Sequence, residues 1–522
     1  MGYFSQAFTD IARGPSGEAL RVRLHVRLND GVDGSPGTLL TITEGQELLN
    51  VSQIERKRER SFGVIQGQAW QVQATNKDLA MLAYSLPGCW ACIEGGFPVA
   101  DEWAVFAQGK INSFVASTNG TVTLEVRDAV MDVLKFKLPR DMRFCEEGWL
   151  SSVKTVRQDK DSVGWDDEIE LYCYDTWGLL NLIDETFCVV FTTTTTFEVR
   201  SENEDGAVLG SGSISAECQV ASTSGESDAF RIPAAGWSAE SGAYEVGDTY
   251  EIFTSEPRTT AELTPVNMVR HLIEDVAGLT CYNVLDGAFY SSPLFDETNW
   301  DDLVDLSPVV AGSWSKGSSL SSLIQGALTV VHGTVYPAPS GQVALWVLQP
   351  ASGESLVLNG DPGSGQVDIL TGQYTDTLAD TITDCLFKYL ILGSGEDASY
   401  AATIPLTESP LLERRAITVK IGWEVRGISV MSAANTYLAR NKEAKREHYL
   451  KCTLAGAVAE LGGTVGIREA TTGLNMAVVS TTGINIDLLR NKADVKAHND
   501  PFVNQGFFVI GESLIGGSDV LW

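Results

Sequence analysis

The residues most able to do chemistry are few and scattered. Cys89-Trp90-Ala91-Cys92 has the Cys-x-x-Cys spacing of a metal knuckle or a redox pair, and five histidines, His25, His271, His332, His448 and His498, could serve as bases or ligands. A knuckle needs a tight turn, whereas the stretch from Leu86 to Glu94 has strand character between turn signals at Pro87-Gly88 and Gly95-Gly96. On a strand, positions 89 and 92 face opposite sides. No second Cys-x-x-Cys or Cys/His pair completes a four-ligand set, although Cys145 and Cys173 could approach in space. The nine cysteines therefore read as buried thiols of a reducing compartment. The histidines lie far apart in sequence; His271 falls off the apolar stripe of its helix and is expected to be solvated.

Carboxylates give a similar answer. Asp128 and Asp175 each follow an alternating strand and precede a short apolar run, which suits them as N-caps accepting from the first helical N–H groups, and the two segments hint at a duplicated strand–helix unit. Asp166-Asp167 and Asp301-Asp302 are adjacent pairs that point apart on a strand. The P-loop, Gly-x-Ser-x-Gly, His-Glu-x-x-His and EF-hand signatures are missing. The reading is a protein that is not an enzyme, with no catalytic, cofactor-binding or metal residues and no cofactor.

The run Glu55-Arg56-Lys57-Arg58-Glu59-Arg60 could touch nucleic acid, but two glutamates interrupt it and no aromatics are interleaved. It reads as a solvated strand, or as an edge that pairs with an acidic neighbouring subunit. With 37 basic against 68 acidic residues the net charge is −31, which disfavours phosphate binding. An acidic wall would instead suit a passage through which DNA slides. No apolar leader follows Met1 and no run of eighteen apolar residues occurs, so neither a standard export signal nor a spanning segment is expected.

The elements that must position these residues are mostly strands. At 522 residues several domains are expected, and fifty glycines among Ser/Thr-rich connections point to frequent turns. Leu20, Val22, Leu24 and Val26 alternate with Arg21, Arg23, His25 and Arg27 on a strand with one greasy and one basic face. Strands follow at 38–43, 62–65 and 69–74. From Phe191 to Glu256 the composition turns to Ser, Thr, Gly and Glu, with twelve acids and two bases, as in a small inserted β-sandwich ending in a connection at 254–260. Trp237 there is a candidate sugar platform, more simply a core residue. Thr264 caps a helix with Pro265 at its first position and Gly278 at its end. A second helix spans 318–331 and leads into a hairpin through 333–336 and 343–348. Ala416 to Val425 alternates as a strand; 372–396 has no clear period. Ser432 then caps a helix whose charged far end runs to Glu447, followed by strands at 449–457, 464–469, 476–480 and 484–488 around a Gly462-Gly463 turn.

That C-terminal order, a helix carrying Leu438-Ala439-Arg440-Asn441, a strand, a Leu461-Gly462-Gly463 turn and a strand pair closing on Ile484-Asn485-Ile486-Asp487-Leu488-Leu489-Arg490-Asn491, resembles the bacteriophage tail baseplate hub, or tail-tip hub, family of minor tail proteins. The Thr264-Pro265 helix closing on Ala277-Gly278-Leu279, and the helix–hairpin with Ser340-Gly341-Gln342 in its turn, resemble it too. The resemblance covers Leu20 to Leu180 and Thr264 to Asn499. It implies a mainly β fold with a few helices (α+β), in which two barrel-like hub domains carry an inserted β-sandwich: residues 1–190 an N-terminal hub β domain, 191–256 the acidic insert, 257–430 an α+β hub region, and 431–522 a helix plus β-meander. It further implies a homotrimeric ring of pseudo-sixfold symmetry in the virion, at the tail tip or baseplate and assembled in the host cytoplasm. Such a ring joins the tail tube to a central spike or fibre, meets the distal tail or tube protein and the tape-measure protein, and passes DNA through its lumen at ejection without sequence-specific binding. The alternative is a receptor- or glycan-binding minor tail protein acting through the insert.

Overall fold

The computed structural model describes residues 4–14, 19–30, 37–44, 47–57, 64–75, 85–145, 149–150, 153–158, 165–171, 184–221, 228–232, 234, 244–256, 258–279, 284–285, 295, 300, 303, 308–347, 356–361, 367–411, 413–469, 474–499, 507–508 and 520–521. The fold is mainly β with a few helices.

Two seven-stranded sheets dominate it. The N-terminal sheet runs in the order Leu39–Thr43, Arg21–Arg27, Trp90–Phe97, Glu102–Ala116, Thr121–Arg127, Ala69–Thr75, Leu48–Val51. The C-terminal sheet runs Leu356–Asn359, Thr464–Glu469, Leu474–Asp487, Lys492–His498, Lys445–Thr453, Ile369–Thr377, with Ile54–Lys57 pairing onto Leu474–Asp487.

The two share a topology. In each, a three-strand meander folds back so that its last strand pairs antiparallel with the strand preceding the meander, and that strand pairs antiparallel with an earlier edge strand. The middle strand of each meander is long, 15 residues in one and 14 in the other. Each is bulged, near Ile111/Ser113 and near Thr481/Gly483, as a long curving strand requires. The repeat therefore lies between residues 48–127 and 369–498. The duplication expected around Asp128 and Asp175 cannot be followed, because Asp175 is outside the described residues.

The sheets share one core. Val72, Leu124 and Val126 of the first and Ile467, Ile484 and Val495 of the second belong to one cluster, which the amphipathic helix Gln6–Arg13 completes with Phe8. The N-terminal sheet has a second covered face. Trp90 and Cys92 join another core with the helices Pro265–His271, Leu320–Val330 and Gly427–Asn441 and a five-stranded sheet, Met142–Phe144, Val310–Trp314, Ala416–Val425, Asp384–Ile391, Asp397–Thr403. There the Trp423 indole donates to the Leu323 carbonyl at 2.8 Å, satisfying a polar atom that burial would otherwise strand.

The insert has its own core. Phe187, Phe191, Phe197, Phe230, Tyr244 and Tyr250 pack together between the sheet built on Glu185–Phe191 and Thr249–Ser255 and the hairpin Cys218–Ala221/Asp228–Ile232. Its first strand begins at Glu185, because Phe187 and Val189 are inward-facing members of that core.

Several local expectations need correction. The C-terminal helix is Gly427–Asn441 with Arg426 at its N-cap, so Ser432 lies inside it. The charged tail does not continue the helix: Lys445–Thr453 is a strand, since in a strand its alternating Leu450 and Cys452 reach the shared core. Residues 474–487 form one bulged strand rather than two, and Leu488 opens the 3-10 turn Leu488–Arg490. The strand Ile54–Lys57 pairs along one edge within the chain, at Gly483 to Ile486; Ile54 is fully buried there and fixes the register.

Candidate assembly surfaces and the junction of the insert

Open strand edges offer the backbone donors and acceptors that assemblies use. Among the described residues, Ile369–Thr377 ends the C-terminal sheet with no strand on its outer side. Its sequence, Ile-Leu-Thr-Gly-Gln-Tyr-Thr-Asp-Thr, is polar on both faces, and Leu370 and Tyr374 are exposed. Leu39–Thr43 and Leu48–Val51 end the N-terminal sheet.

The free face of the C-terminal sheet is charged. Register pairs Lys57 with Gly483, Gly483 with Lys496, and Lys496 with Tyr449, so these side chains line up across four strands on one face. The Lys496 ammonium lies 5.8 Å from the Tyr449 ring centroid. Lys445, Asp380, Glu447 and the helix residues Tyr437 and Asn441 close a cleft of about 550 Å³ beside the row. The cleft mixes both signs of charge.

A second cleft, of about 610 Å³, lies where the insert meets the body, lined by Arg140, Asp184, Glu251, Asp275 and Lys316 among others. Behind its wall, His271 contacts two of the lining residues, Asp184 and Asp275. The helix Pro265–His271, started by the Thr264 hydroxyl accepting from Asn267 N–H, passes directly into a π-turn, Leu272–Val276, which presents Asp275 to the ring. Nδ1 is 2.5 Å from Asp275 Oδ2, while Nε2 is 3.4 Å from Asp184 Oδ2 and 3.2 Å from an Arg258 guanidinium nitrogen. The expectation that His271 is solvated is overturned. Its ring is only 12% exposed, because the insert's connections cover that side of the helix. Burial pulls the imidazole pKa down, and the hydrogen bonds to Asp184 and Asp275 more than offset this, so it stands above the usual 6.5. Burial pulls Asp184 the other way, yet the His271 hydrogen bond and the Arg258 charge hold it below the usual carboxylate range.

The other candidates divide between cores. Cys89 belongs to the core shared by the two sheets and Cys92 to the core of the helices, so their thiols face opposite sides of the N-terminal sheet. His25 and Glu94 are both buried on that sheet. His25 Nδ1 is 3.0 Å from Thr41 Oγ1, its Nε2 is 3.2 Å from Glu94, and Glu94 also pairs with Arg23 at 2.9 Å, whose guanidinium stacks on Trp103. A hydroxyl, an imidazole and a carboxylate in line would suit acyl transfer, but Glu94 here is shared between His25 and the Arg23 guanidinium on a pleated surface, which ties strands together. Asp128 is fully buried and accepts from Met131 N–H at 3.0 Å, supporting the short helix Val130–Val133, and also from Gln68 N–H. Burial raises its carboxyl to about 7, against the pull of those N–H groups. His332 contacts the Ala433 carbonyl at 3.0 Å and His448 the Asn499 side chain at 2.9 Å; His498 is buried.

Trp237, Asp175, Asp301, Asp302, Cys173, Cys281 and Arg58 to Arg60 lie outside the described residues, and of Asp166 and Asp167 only the backbone is described, within Trp165–Leu171. Among the described residues no group of three or more His, Cys, Asp or Glu side chains could hold a metal ion, and no helix is long and apolar enough to cross a membrane. The sequence reading missed Asp184, Arg258 and Asp275. The i,i+4 spacing of His271 and Asp275 was a readable signal; Asp184 and Arg258 meet only because the insert's two ends return together.

No protein-family model and no curated protein matches the chain. Solved structures to which it is similar are phage tail proteins. A tail protein from Neisseria meningitidis MC58 is 10% identical with a TM-score of 0.46, over 92% of this chain and 97% of that one. The 43 kDa tail protein of prophage MuSo2 from Shewanella oneidensis is 9% identical with a TM-score of 0.42, over 93% and 99%. The prophage tail protein gp18 from Listeria monocytogenes EGD-e is 5% identical with a TM-score of 0.39, over 92% and 94%.

Proposed function

We propose that this chain is a structural subunit of a phage tail, acting as the tail-tip or baseplate hub, and that it works as a homotrimeric ring rather than as an enzyme. The observation that carries this reading is the five-strand unit repeated in the two large sheets. A subunit with two copies of one sheet topology turns a threefold ring into a pseudo-sixfold one, the symmetry needed between a sixfold tube and a threefold spike or fibre. The sequence resemblance of 264–279 and 432–499 to hub proteins points the same way. Open edges at Leu39–Thr43, Leu48–Val51 and Ile369–Thr377 supply backbone groups for closure between subunits and for the neighbouring tail proteins. The lumen passes DNA without base contacts, consistent with a net charge of −31.

Little favours the glycan-binding alternative: among the described residues the insert's large aromatics fill its own core and leave no stacking platform. Light scattering on the purified full chain, over a concentration range, tests the proposal. A mass near three times 56.3 kDa is expected. A monomer at every concentration, with the tube and spike proteins also present, overturns it.

A further inference from the structure

The chain enters the insert through Asp184 and leaves it through Glu256 and Arg258, and these residues close on one another. Asp184 Oδ1 accepts from Glu256 N–H at 3.1 Å, and Oδ2 takes the Arg258 guanidinium at 2.6 Å. Arg258 N–H in turn donates to the Cys145 carbonyl at 3.1 Å, and its guanidinium lies 5.1 Å over the Phe144 ring, which also meets His271 edge-on and packs against Trp314 and Trp423. Another ion pair from insert to body, Lys316 to Glu251 at 2.8 Å, has both side chains about half exposed and is screened.

His271 Nε2 faces two groups that want opposite things of it. Asp184 needs a donor there, and the Arg258 guanidinium needs an acceptor. Nδ1 meets Asp275, which accepts in either state. We propose that His271 is a proton-operated latch between the insert and the body: protonated on both nitrogens it ties Asp184 to Asp275, and bare at Nε2 it releases Asp184 and accepts from Arg258 instead.

The charged groups around the ring set its direction. Asp184 before the insert and Asp275 on the helix favour the cation; Arg258 after the insert opposes it; Glu256, Arg140 and Glu262 act through Asp184 and Arg258. The sum raises the imidazole above the usual 6.5. A group raised on folding stabilises fully below its unfolded value and loses that contribution as pH climbs through the folded one. The latch is therefore closed below about pH 6.5 and opens on the alkaline side.

The inference is independent of the hub reading. Hydrogen exchange of the full chain from pH 6 to 9, expressed as protection corrected for intrinsic rates, tests it. Peptides covering 184–191 and 249–256 are expected to lose protection as pH rises through the raised imidazole pKa, while 416–425 stays constant. His271→Gln flattens the response, and Asp275→Asn moves its midpoint to lower pH. Protection at the junction that ignores pH in the wild type, or the same fall in His271→Gln, overturns the latch. Should His271→Gln fail to fold, the Asp275→Asn midpoint decides: a shift supports the latch and an unmoved midpoint refutes it.

Discussion

The two seven-stranded sheets are built on one strand order and used in two ways. The N-terminal sheet is covered on both faces at its centre, where every residue of Trp90–Phe97 is buried and His25 and Glu94 are held out of water with Arg23 and Thr41 as partners; towards one edge, Thr121–Arg127 and Ala69–Thr75 alternate between buried and more exposed residues. The C-terminal sheet is covered on one face only. Its strands alternate, with Ile484, Ile486, Val495 and Leu450 inward and Lys57, Lys451 and Lys496 outward. A shared topology thus fixes where strands run, while the second layer decides which residues they carry. Both sheets end in open edges, and the C-terminal sheet has the longest of them, Ile369–Thr377.

The comparison can be broken at the common core. Leu124→Ala in one sheet and Ile484→Ala in the other each empty a fully packed site and are expected to cost about 2–5 kcal/mol. Because both side chains belong to one cluster, denaturant titration with probes in either sheet should show the same transition moving. Separate transitions for the two sheets would contradict the shared core.

A smaller contrast comes from the charges. Glu94→Gln removes the common partner of His25 and Arg23 and is expected to cost roughly 2–3 kcal/mol, reduced from a fully buried pair because Arg23 is partly exposed. Glu55→Gln breaks the exposed pair with Lys57 at 2.5 Å and should change stability by less than about 0.5 kcal/mol. Equal effects would mean the N-terminal sheet is wetter than it looks.

The finest contrast uses the two bulged middle strands. A Cβ on Gly109 would lie 2.2 Å from the Arg127 carbonyl oxygen, whereas at Gly483 the nearest atom is 3.5 Å away. Gly109→Ala is expected to destabilise by about 1–3 kcal/mol. Gly483→Ala should stabilise by about 0.4–1 kcal/mol through the unfolded chain. Thermal unfolding of the two variants side by side checks the opposite signs.

How much was legible follows the same division. Strands with one bare face announced themselves by alternation: 416–425 was read to the residue and 21–27 nearly so. Thr464–Glu469, buried except at Arg468, was placed by the Gly462-Gly463 turn before it. The Thr264-Pro265 helix start was readable because its cap is local. Ile369–Thr377 was obscure, since an edge polar on both faces has no hydrophobic period; Asp384–Ile391, an inner strand, alternates only to Phe387 and loses the period from Lys388 on. Lys445 was assigned to a helix because Arg440 to Glu447 is locally helix-forming, and only pairing with Thr377 and the neighbouring strand makes it extended. The opposed faces of Cys89 and Cys92 could be read from strand geometry. The surroundings of His271 could not, because Asp184 and Arg258 reach it across the length of the insert.

Single-particle imaging of the assembled full chain tests the central claim most directly. The account predicts a closed ring of three copies in which the two sheets of each subunit sit at one radius, related by a rotation of about 60°. A closed ring with the two sheets at different radii, or an assembly without threefold symmetry, would contradict it.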